Sequence, residues 1–254
     1  MKIVADENLA FTDYFFSEFA DIRHCPGRSL MAQDVQDADA LLVRSVTQVN
    51  EALLQNSSIK FVGSATIGTD HLDIAALEQH GIQWSNAAGC NAQAVAEYVI
   101  TALLHVRPEL VDANATFSLG IVGLGNVGTR LAYMAKLLGW RVIGYDPLVQ
   151  RTQVDQVEFN ELLQQADAIS IHVPLTQTGL YPTYHLFNTA TLAQMQPDAI
   201  LINSARGPVI EEAALIQDLK ATQRTVILDV FEHEPVISAE LLDLLTLVTP
   251  HIAG

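Results

Sequence analysis

The chain has few cysteines, few basic side chains and no long apolar run. Its 254 residues include two cysteines, and 13 Lys and Arg stand against 29 Asp and Glu, for a formal net charge of −16. Cys25 and Cys90 can form one bridge at most, which excludes a disulfide-dense secreted scaffold. Phosphate backbones are held by clustered Lys and Arg, so this acidic composition argues against a nucleic-acid partner.

Membrane and export signals are not visible either. No segment provides the roughly 20 consecutive apolar residues of a membrane-spanning helix. The longest candidate, residues 99–106, contains Thr101 and His105. At the N-terminus, the first residues run into Asp6 and Glu7 too soon to form the apolar core of a signal peptide. We therefore expect a soluble cytoplasmic protein with no membrane partner.

Common metal and hydrolase motifs are missing. The eight His residues include no H-E-x-x-H pair and no spacing with Cys, so we expect no metal site. Neither a G-x-S-x-G elbow nor a G-x-x-x-x-G-K-[ST] loop occurs, which argues against the usual serine hydrolase and P-loop chemistries. Cys90 has no His nearby in sequence and is more typical of a buried thiol than of a nucleophile.

What the chain does have is apolar content in a regular pattern. Hydrophobic residues make up 50% of the chain and the mean hydropathy is +0.24, which is enough to form a buried core. Short β-branched runs alternate with helical patterns in two series, as is typical of parallel sheets crossed by helices. We predict two doubly wound parallel-sheet α/β domains, one flavodoxin-like and one of the Rossmann type, with a cleft between them.

The first series gives a domain over residues 1–91, expected to bind substrate. The strands are predicted at residues 2–5, near Ile22, and at 40–44, 59–64 and 82–84. A helix is predicted over residues 70–80, because Gly81 follows it as a natural helix end.

A long helix is predicted over residues 92–106, where Pro108 prevents its continuation. We expect residues 92–108 to connect the domains. The second series, residues 109–254, offers six strands and two clear helices. These strands are predicted at residues 118–122, 141–145, 168–173, 199–203, 225–228 and 247–249, and the helices at 126–138 and 210–219. Six strands with crossover helices indicate a dinucleotide-binding sheet.

A glycine-rich turn lies between the first strand and helix of this second domain. Gly123, Gly125 and Gly128 match G-x-G-x-x-G, with Asn126 and Val127 inside the motif. The first glycine permits the tight turn, the second lets the backbone approach a pyrophosphate, and the third lets helix and strand pack closely. The helix N-terminus adds unpaired N–H groups for the anion.

The alternative is a glycine-rich turn that binds nothing. Asp146 favours the dinucleotide, because it ends the next strand, where an acid meets the adenosine ribose hydroxyls. A carboxylate there would repel a ribose phosphate, so we expect NAD rather than NADP.

Three unusual side chains follow later strands of the same predicted sheet. Arg206 could hold a carboxylate with its two-pronged guanidinium, and His251 could exchange a proton near neutral pH. Glu234 precedes Pro235, which restricts its backbone, and could orient that His. Each residue also has an ordinary alternative: Arg206 could be a surface Arg, His251 a structural His, and Glu234 part of a solvated acidic loop. For Glu232, in the same loop, we adopt the solvated interpretation.

The first domain offers polar residues at its own strand ends. Arg44 and Ser45 follow the third strand, and Thr66 follows the fourth. Together with backbone N–H groups they could form a small anion site. Turn chemistry is the alternative, since Ser, Thr and Gly are the default residues there.

Four segments together resemble the signatures of the D-isomer-specific 2-hydroxyacid dehydrogenases. They are the turn at residues 123–128 with Asp146, and residues 203–207, 229–235 and 249–254. The resemblance implies NAD-dependent oxidation of a 2-hydroxy acid, with substrate entering the cleft and domain closure excluding water. It also implies a segment after Gly254 that returns to the first domain, and a homodimerisation region in the full-length protein.

The resemblance also assigns roles. Arg206 is expected to bind the substrate carboxylate, His251 to exchange the proton, and Glu234 to orient His251. Ser45 and Thr66 are expected to contact substrate. The NAD would be lined by Asp146, the backbone at Val173, Ser204, Ala205, Arg206, Asp229 and Gly254.

Further segments resemble one branch of that family. They are residues 6–8, 26–28, 43–47, 68–71 and 89–92. This likeness implies a small anionic substrate, 4-phospho-D-erythronate, oxidised to 2-oxo-3-hydroxy-4-phosphobutanoate in the synthesis of the vitamin B6 cofactor, pyridoxal 5'-phosphate. The alternatives are another D-2-hydroxy acid such as 3-phosphoglycerate, or an NAD-sensing interaction protein on the same fold.

Overall fold

The computed structural model describes residues 1–112, 116–222 and 224–254. It divides the chain into two compact units, Met1–Cys90 and Asn91–Gly254. The helix expected to connect two domains is counted within the second unit, where it packs on the helix that follows the glycine turn.

The first unit contains a five-stranded parallel sheet. Its described elements are β1 (Lys2–Asp6), α1 (Thr12–Phe16), β2 (Asp21–Cys25), α2 (Ala32–Val35), β3 (Ala40–Val43), α3 (Glu51–Leu54), β4 (Phe61–Ser64), α4 (Ile74–Gln79) and β5 (Gln83–Asn86). The strand order is β2-β1-β3-β4-β5, which is the flavodoxin order. The predicted flavodoxin-like sheet is confirmed.

The helix predicted over residues 70–80 begins later than expected. Asp73 is its N-cap, since its side chain accepts a hydrogen bond from the Ala76 N–H at 3.0 Å. Leu72 forms a β-bridge with Val49 instead of a helical turn. The local hydrogen bonds of Asp73 therefore set a boundary that hydrophobic spacing alone does not show.

The second unit contains a seven-stranded parallel sheet. Its described elements are α5 (Ala92–Val106), β6 (Ser118–Val122), α6 (Asn126–Leu137), β7 (Arg141–Tyr145), β8 (Asp155–Gln156), α7 (Phe159–Gln165), β9 (Ala168–Ile171), α8 (Thr189–Leu192), β10 (Ile200–Asn203), α9 (Glu212–Thr222), β11 (Val226–Leu228), α10 (Ala239–Leu242) and β12 (Leu247–Val248). The order is β12-β11-β10-β9-β6-β7-β8, so the chain adds strands first on one side of β6 and then, from β9 onward, on the other. This is the Rossmann order with one strand added.

Two expectations for this unit need correction. The sheet has seven strands rather than six, because the two-residue strand β8 pairs with β7 at the edge and is too short to show a pattern. The helix predicted over residues 210–219 is Glu212–Thr222, because Ile210 pairs with Phe187 in a β-bridge before the helix begins.

Two apolar layers cover the faces of the second sheet. The central strands β6, β9 and β10 are buried along their whole length, as expected of a parallel sheet covered on both sides. Successive residues of β6 point to opposite layers, with Ile121 in one apolar cluster and Val122 in the other. This packing fixes the sheet, so polar side chains just past the strand ends are held at one edge.

Candidate active site

The glycine turn has the geometry that its sequence predicts. Gly123 has φ +96°, and a Cβ there would lie 2.7 Å from the carbonyl oxygen of His172. A Cβ on Gly128 would lie 1.9 Å from the Gly123 carbonyl oxygen, so helix α6 can approach β6 only with glycine at that position. A Cβ on Gly125 would meet no atom within 4 Å, so this glycine borders open space.

That open space adjoins the N-terminus of α6. The helix begins at Asn126, and its N-cap, Gly125, has no side chain to occupy the first N–H groups. Backbone N–H groups and the positive end of the helix dipole therefore face a space that a side chain would otherwise fill. The residues present fit a dinucleotide pyrophosphate.

Asp146 lies beside this turn and is ordered by backbone groups. Its Oδ2 accepts a hydrogen bond from the Leu124 N–H at 2.8 Å. Its Oδ1 accepts from the N–H groups of Leu148 at 3.0 Å and Val149 at 3.1 Å. The guanidinium of Arg151 donates to the Leu124 carbonyl at 3.1 Å. The acid is thus fixed next to the glycine turn, and its contact with a ribose stays a prediction.

Val173 follows β9 and lies across from the glycine turn, with its Cγ1 3.0 Å from the Cβ position of Gly123. Its neighbour His172 was not predicted as a site residue. The Nε2 of His172 is 2.8 Å from the hydroxyl of Ser170, and burial lowers the pKa of His172 to about 3. His172 is therefore neutral at physiological pH, and its backbone carbonyl borders the turn.

Glu234 and His251 form a hydrogen-bonded pair. The Oε2 of Glu234 is 3.2 Å from Nδ1 of His251, and Oε1 accepts from the Phe231 N–H at 2.9 Å. The hydrogen bond from Glu234 raises the pKa of His251 above its ordinary value, although burial opposes it. The same bond lowers the pKa of Glu234, also against burial. The geometry can hold an imidazolium and its carboxylate partner together.

Arg206 is brought close to this pair. Its positive charge lowers the pKa values of both Glu234 and His251, which places all three groups in one electrostatic neighbourhood. The Arg206 Nη1 donates to the Ala205 carbonyl at 2.7 Å. Asn203, at the end of β10, fixes the turn by donating to the Arg206 carbonyl at 2.9 Å. The guanidinium, carboxylate and imidazole thus influence one another in the second unit, and their roles at a substrate stay a prediction.

Two further predicted residues, Ser204 and Ala205, precede Arg206 in the same turn, and the Ala205 N–H donates to Oδ1 of Asn203 at 3.0 Å. Ser204 has a different environment. Its hydroxyl is buried and has no hydrogen-bond partner among the described residues. Its role at the cofactor stays a prediction.

Asp229 holds the loop that carries His251. Its carboxylate is 1% exposed and accepts hydrogen bonds from the Thr249 hydroxyl at 2.6 Å and the Ile252 and Ala253 N–H groups at 2.8 and 2.9 Å. Sequence reasoning predicted Asp229 at the cofactor and missed this anchoring.

The backbone of His251 is itself unusual. It has φ +57°, a left-handed conformation that is costly for a residue other than glycine. The hydrogen bonds to Asp229 hold this strained loop in place. A second support is Tyr98 of α5, whose hydroxyl lies 2.6 Å from that of Thr249. Gly254, predicted to line NAD, packs closely on Asn91, the residue before α5.

Glu232 is not a solvated loop residue, contrary to expectation. Its side chain is 10% exposed, and its Oε1 is 2.5 Å from Nε2 of His185. Its Oε2 accepts from the Glu212 N–H at 2.8 Å, at the start of α9. The carboxylate thus joins the Glu234 loop to two other segments. Sequence gave no signal for this, because His185 is 47 residues away.

The predicted polar residues of the first unit lie at the end of its sheet. Thr66 is held by Ser64, whose hydroxyl lies 2.9 Å from that of Thr66 and 2.9 Å from Nε2 of His71. Arg44 directly follows β3, and Ser45 next to it is exposed. The structure therefore places Arg44, Ser45 and Thr66 at the carboxyl ends of neighbouring strands of one sheet.

Cys90 is exposed rather than buried, and both thiols are free. It lies in a surface turn after β5. The prediction of a buried thiol used only the absence of a nearby His in the sequence, and that absence says nothing about exposure. Within the described ranges, no group of three or more His, Cys, Asp or Glu is arranged to hold a metal ion. No helix in the same ranges is long and apolar enough to cross a bilayer.

A family model described as D-isomer specific 2-hydroxyacid dehydrogenase, NAD binding domain, matches residues 108–253. The chain belongs to this family of NAD-dependent oxidoreductases, as the glycine turn, Arg206, Glu234 and His251 predicted. The expected cofactor, NAD, is confirmed by the match.

Particular relatives carry a narrower name. An erythronate-4-phosphate dehydrogenase of Acinetobacter baumannii (strain AYE) is 70% identical over 254 residues, covering 100% of this chain and 72% of its own length. One from Acinetobacter baylyi is 67% identical with the same coverage.

Solved structures agree on the fold. A cofactor-bound 3-phosphoglycerate dehydrogenase of Entamoeba histolytica has a TM-score of 0.84 and 24% identity, covering 100% of this chain and 88% of that one. At this identity the likeness shows the fold alone.

Proposed function

We propose that this protein oxidises 4-phospho-D-erythronate with NAD, giving 2-oxo-3-hydroxy-4-phosphobutanoate in the synthesis of pyridoxal 5'-phosphate. The observation that carries the proposal is the Glu234–His251 pair beside Arg206 in a chain 70% identical to erythronate-4-phosphate dehydrogenases.

His251 is the proton acceptor of the proposed oxidation. Because Glu234 faces Nδ1, the free ring nitrogen is Nε2, and this atom takes the proton from the C2 hydroxyl. Glu234 stabilises the imidazolium that results. In the reverse direction, the same Nε2 returns the proton.

Arg206 binds the substrate carboxylate through its paired N–H groups and so orients C2. The chemistry that a bound NAD would supply is acceptance of the hydride from C2. The turn of Gly123, Gly125 and Gly128 would hold its pyrophosphate, and Asp146 its adenosine ribose. In the first unit, Ser45, Thr66 and Arg44 supply further polar contacts to the substrate.

The test is NADH formation with a panel of acids. We expect the highest kcat/KM with 4-phospho-D-erythronate, compared with 3-phosphoglycerate and an unphosphorylated 2-hydroxy acid. A higher kcat/KM with 3-phosphoglycerate would assign a different substrate. NADH binding without turnover of any acid would indicate an NAD-sensing protein instead.

The proposal includes a cytoplasmic location and a homodimer, which the family resemblance implies. Sedimentation of the full-length protein tests the dimer, and a monomer at micromolar concentration would contradict it.

A further inference from the structure

Two basic side chains of the first unit have no partner in the described structure. Every other one of the 13 Lys and Arg side chains makes an ion pair or a hydrogen bond. The exceptions are Arg28, which is exposed, and Arg44, which is partly buried. Unpaired guanidiniums are notable in a chain with a net charge of −16, where acids are in excess.

Both residues lie at the same edge of the first sheet. Arg28 lies three residues after the end of β2, and Arg44 directly follows β3. These two strands flank β1 on either side. Because the strands are parallel, with Asp6 of β1 opposite Cys25 of β2, their carboxyl ends are level.

A close backbone contact brings the two arginine-bearing loops together. A Cβ on Gly27 would lie 2.2 Å from Oδ2 of Asp6 and 2.6 Å from the hydroxyl oxygen of Thr47. The segment that carries Arg28 therefore passes over the end of β1 and meets the loop after β3. Thr47 is tied to Arg44 by a backbone hydrogen bond of 3.2 Å, so Arg28 and Arg44 lie on adjoining turns.

The groups beneath this contact are buried and polar. Asp6 and Thr47 are 3% and 2% exposed, and neither Oδ2 of Asp6 nor the Thr47 hydroxyl has a hydrogen-bond partner in the described residues. The other oxygen of Asp6 accepts from the Asn8 N–H at 2.8 Å.

A pair of uncommitted guanidiniums is suited to a phosphate group. Each can donate two parallel N–H bonds to phosphate oxygens, and two positive charges match a dianion. The acidic surface of the rest of the chain would repel that dianion, so local positive charge is needed to hold it. An uncharged hydroxyl at the same carbon would gain little from either arginine.

We propose that Arg28 and Arg44 form the binding site for the phosphate group of the substrate, and that Arg28 selects phosphorylated over unphosphorylated acids. The assignment rests on the proposed function for the identity of the phosphate ester. The close contact at Gly27 places the turn that carries Arg28 against the loop that carries Arg44.

The first experiment measures binding of inorganic phosphate to the cofactor-free protein by calorimetry. Arg28→Gln and Arg44→Gln should each weaken it by about 10- to 100-fold, as expected for loss of a hydrogen-bonded charge. Arg23→Gln is the matched control. It removes an arginine of β2 that pairs with Asp37 at 3.4 Å, and it should leave phosphate affinity unchanged.

The second experiment measures selectivity as the ratio of kcat/KM for 4-phospho-D-erythronate to kcat/KM for D-erythronate. Arg28→Gln should lower the ratio by about 10- to 100-fold, mainly through KM for the phosphorylated acid. Arg28→Lys, which keeps the charge and loses the paired donors, should fall between Arg28→Gln and wild type.

Unchanged phosphate affinity in Arg28→Gln, or an unchanged selectivity ratio, would overturn the assignment. If wild type oxidises no 4-phospho-D-erythronate, the proposed function fails. Phosphate binding that depends on Arg28 and not on Arg23 would still support the site in that case. Phosphate binding that is equal in all variants would overturn it.

Discussion

The backbone of His251 is hydrogen-bonded to Asp229, with the His251 N–H donating to the Asp229 carbonyl at 2.9 Å. The Asp229 carboxylate accepts hydrogen bonds from the N–H groups of Ile252 and Ala253, the two residues after His251. Asp229, the residue after β11, therefore fixes the backbone from which the imidazole projects, because these three hydrogen bonds leave the loop little freedom.

Replacing Asp229 by Asn should disturb this loop. In the Asn side chain, an NH2 group would replace one carboxylate oxygen, and it would face either the Thr249 hydroxyl or the Ala253 N–H. Because both of these groups are donors, one buried donor would lose its acceptor. We expect a loss of about 1–3 kcal/mol in the free energy of unfolding, measured by urea denaturation, with a lower kcat. Asp198→Asn, at an exposed position, is the control. Equal stability of wild type and Asp229→Asn would contradict the anchoring role.

The Glu234–His251 pair predicts a pH dependence. Oxidation needs neutral His251, and Glu234 raises the pKa of His251 above its ordinary 6.5. The acid limb of kcat/KM should therefore lie above pH 6.5 in wild type. In Glu234→Gln the limb should move to lower pH, because the carboxylate charge is gone. Glu240→Gln, an exposed acid paired with Lys220, should leave the limb in place. A limb that does not move in Glu234→Gln would refute the pairing.

The Glu232–His185 pair should stabilise the loops around the site. Burial alone would raise the pKa of Glu232, but the bonds from His185 and the Glu212 N–H outweigh it and lower that pKa. Its contribution to stability is therefore present above the ordinary value of 4.5 and is lost as the pH falls through the lower folded value.

A double-mutant cycle with Glu232→Gln and His185→Ala should measure this coupling at pH 6, at about 0.5–3 kcal/mol. A coupling of zero at pH 6 would show that the two side chains act independently.

Asp146 predicts the choice of cofactor. Wild type should use NAD with a higher kcat/KM than NADP, since the carboxylate repels a ribose phosphate. In Asp146→Ser, the guanidinium of Arg151, which lies at the Leu124 carbonyl, becomes the dominant charge near this turn. The NAD:NADP ratio of kcat/KM should fall by about tenfold or more. A wild-type enzyme that prefers NADP would overturn the assignment of Asp146.

Much of the fold follows from the sequence because its signals are local. Apolar runs mark the buried strands, and the glycine turn fixes where β6 meets α6. Strand β8 was missed because Asp155 and Gln156 form only two edge residues. The start of α4 was misplaced because the side chain of Asp73, rather than apolar spacing, sets it.

The site was predictable where a reactive side chain comes soon after a predicted strand, as for Arg206, Glu234 and His251. It was not predictable where distant residues cooperate. Glu232 pairs with His185, and Asp229 accepts a hydrogen bond from Thr249. Both contacts depend on how segments far apart in sequence pack together. The exposure of Cys90 likewise depends on its surface turn rather than on its neighbours in sequence.

The central claim is that His251 exchanges the proton at C2, and His251→Ala tests it most directly. With 4-phospho-D-erythronate and NAD, kcat should fall by about 10²- to 10⁴-fold, while NADH affinity and the unfolding midpoint remain close to those of wild type. An unchanged kcat in a folded, cofactor-binding His251→Ala protein would contradict the account.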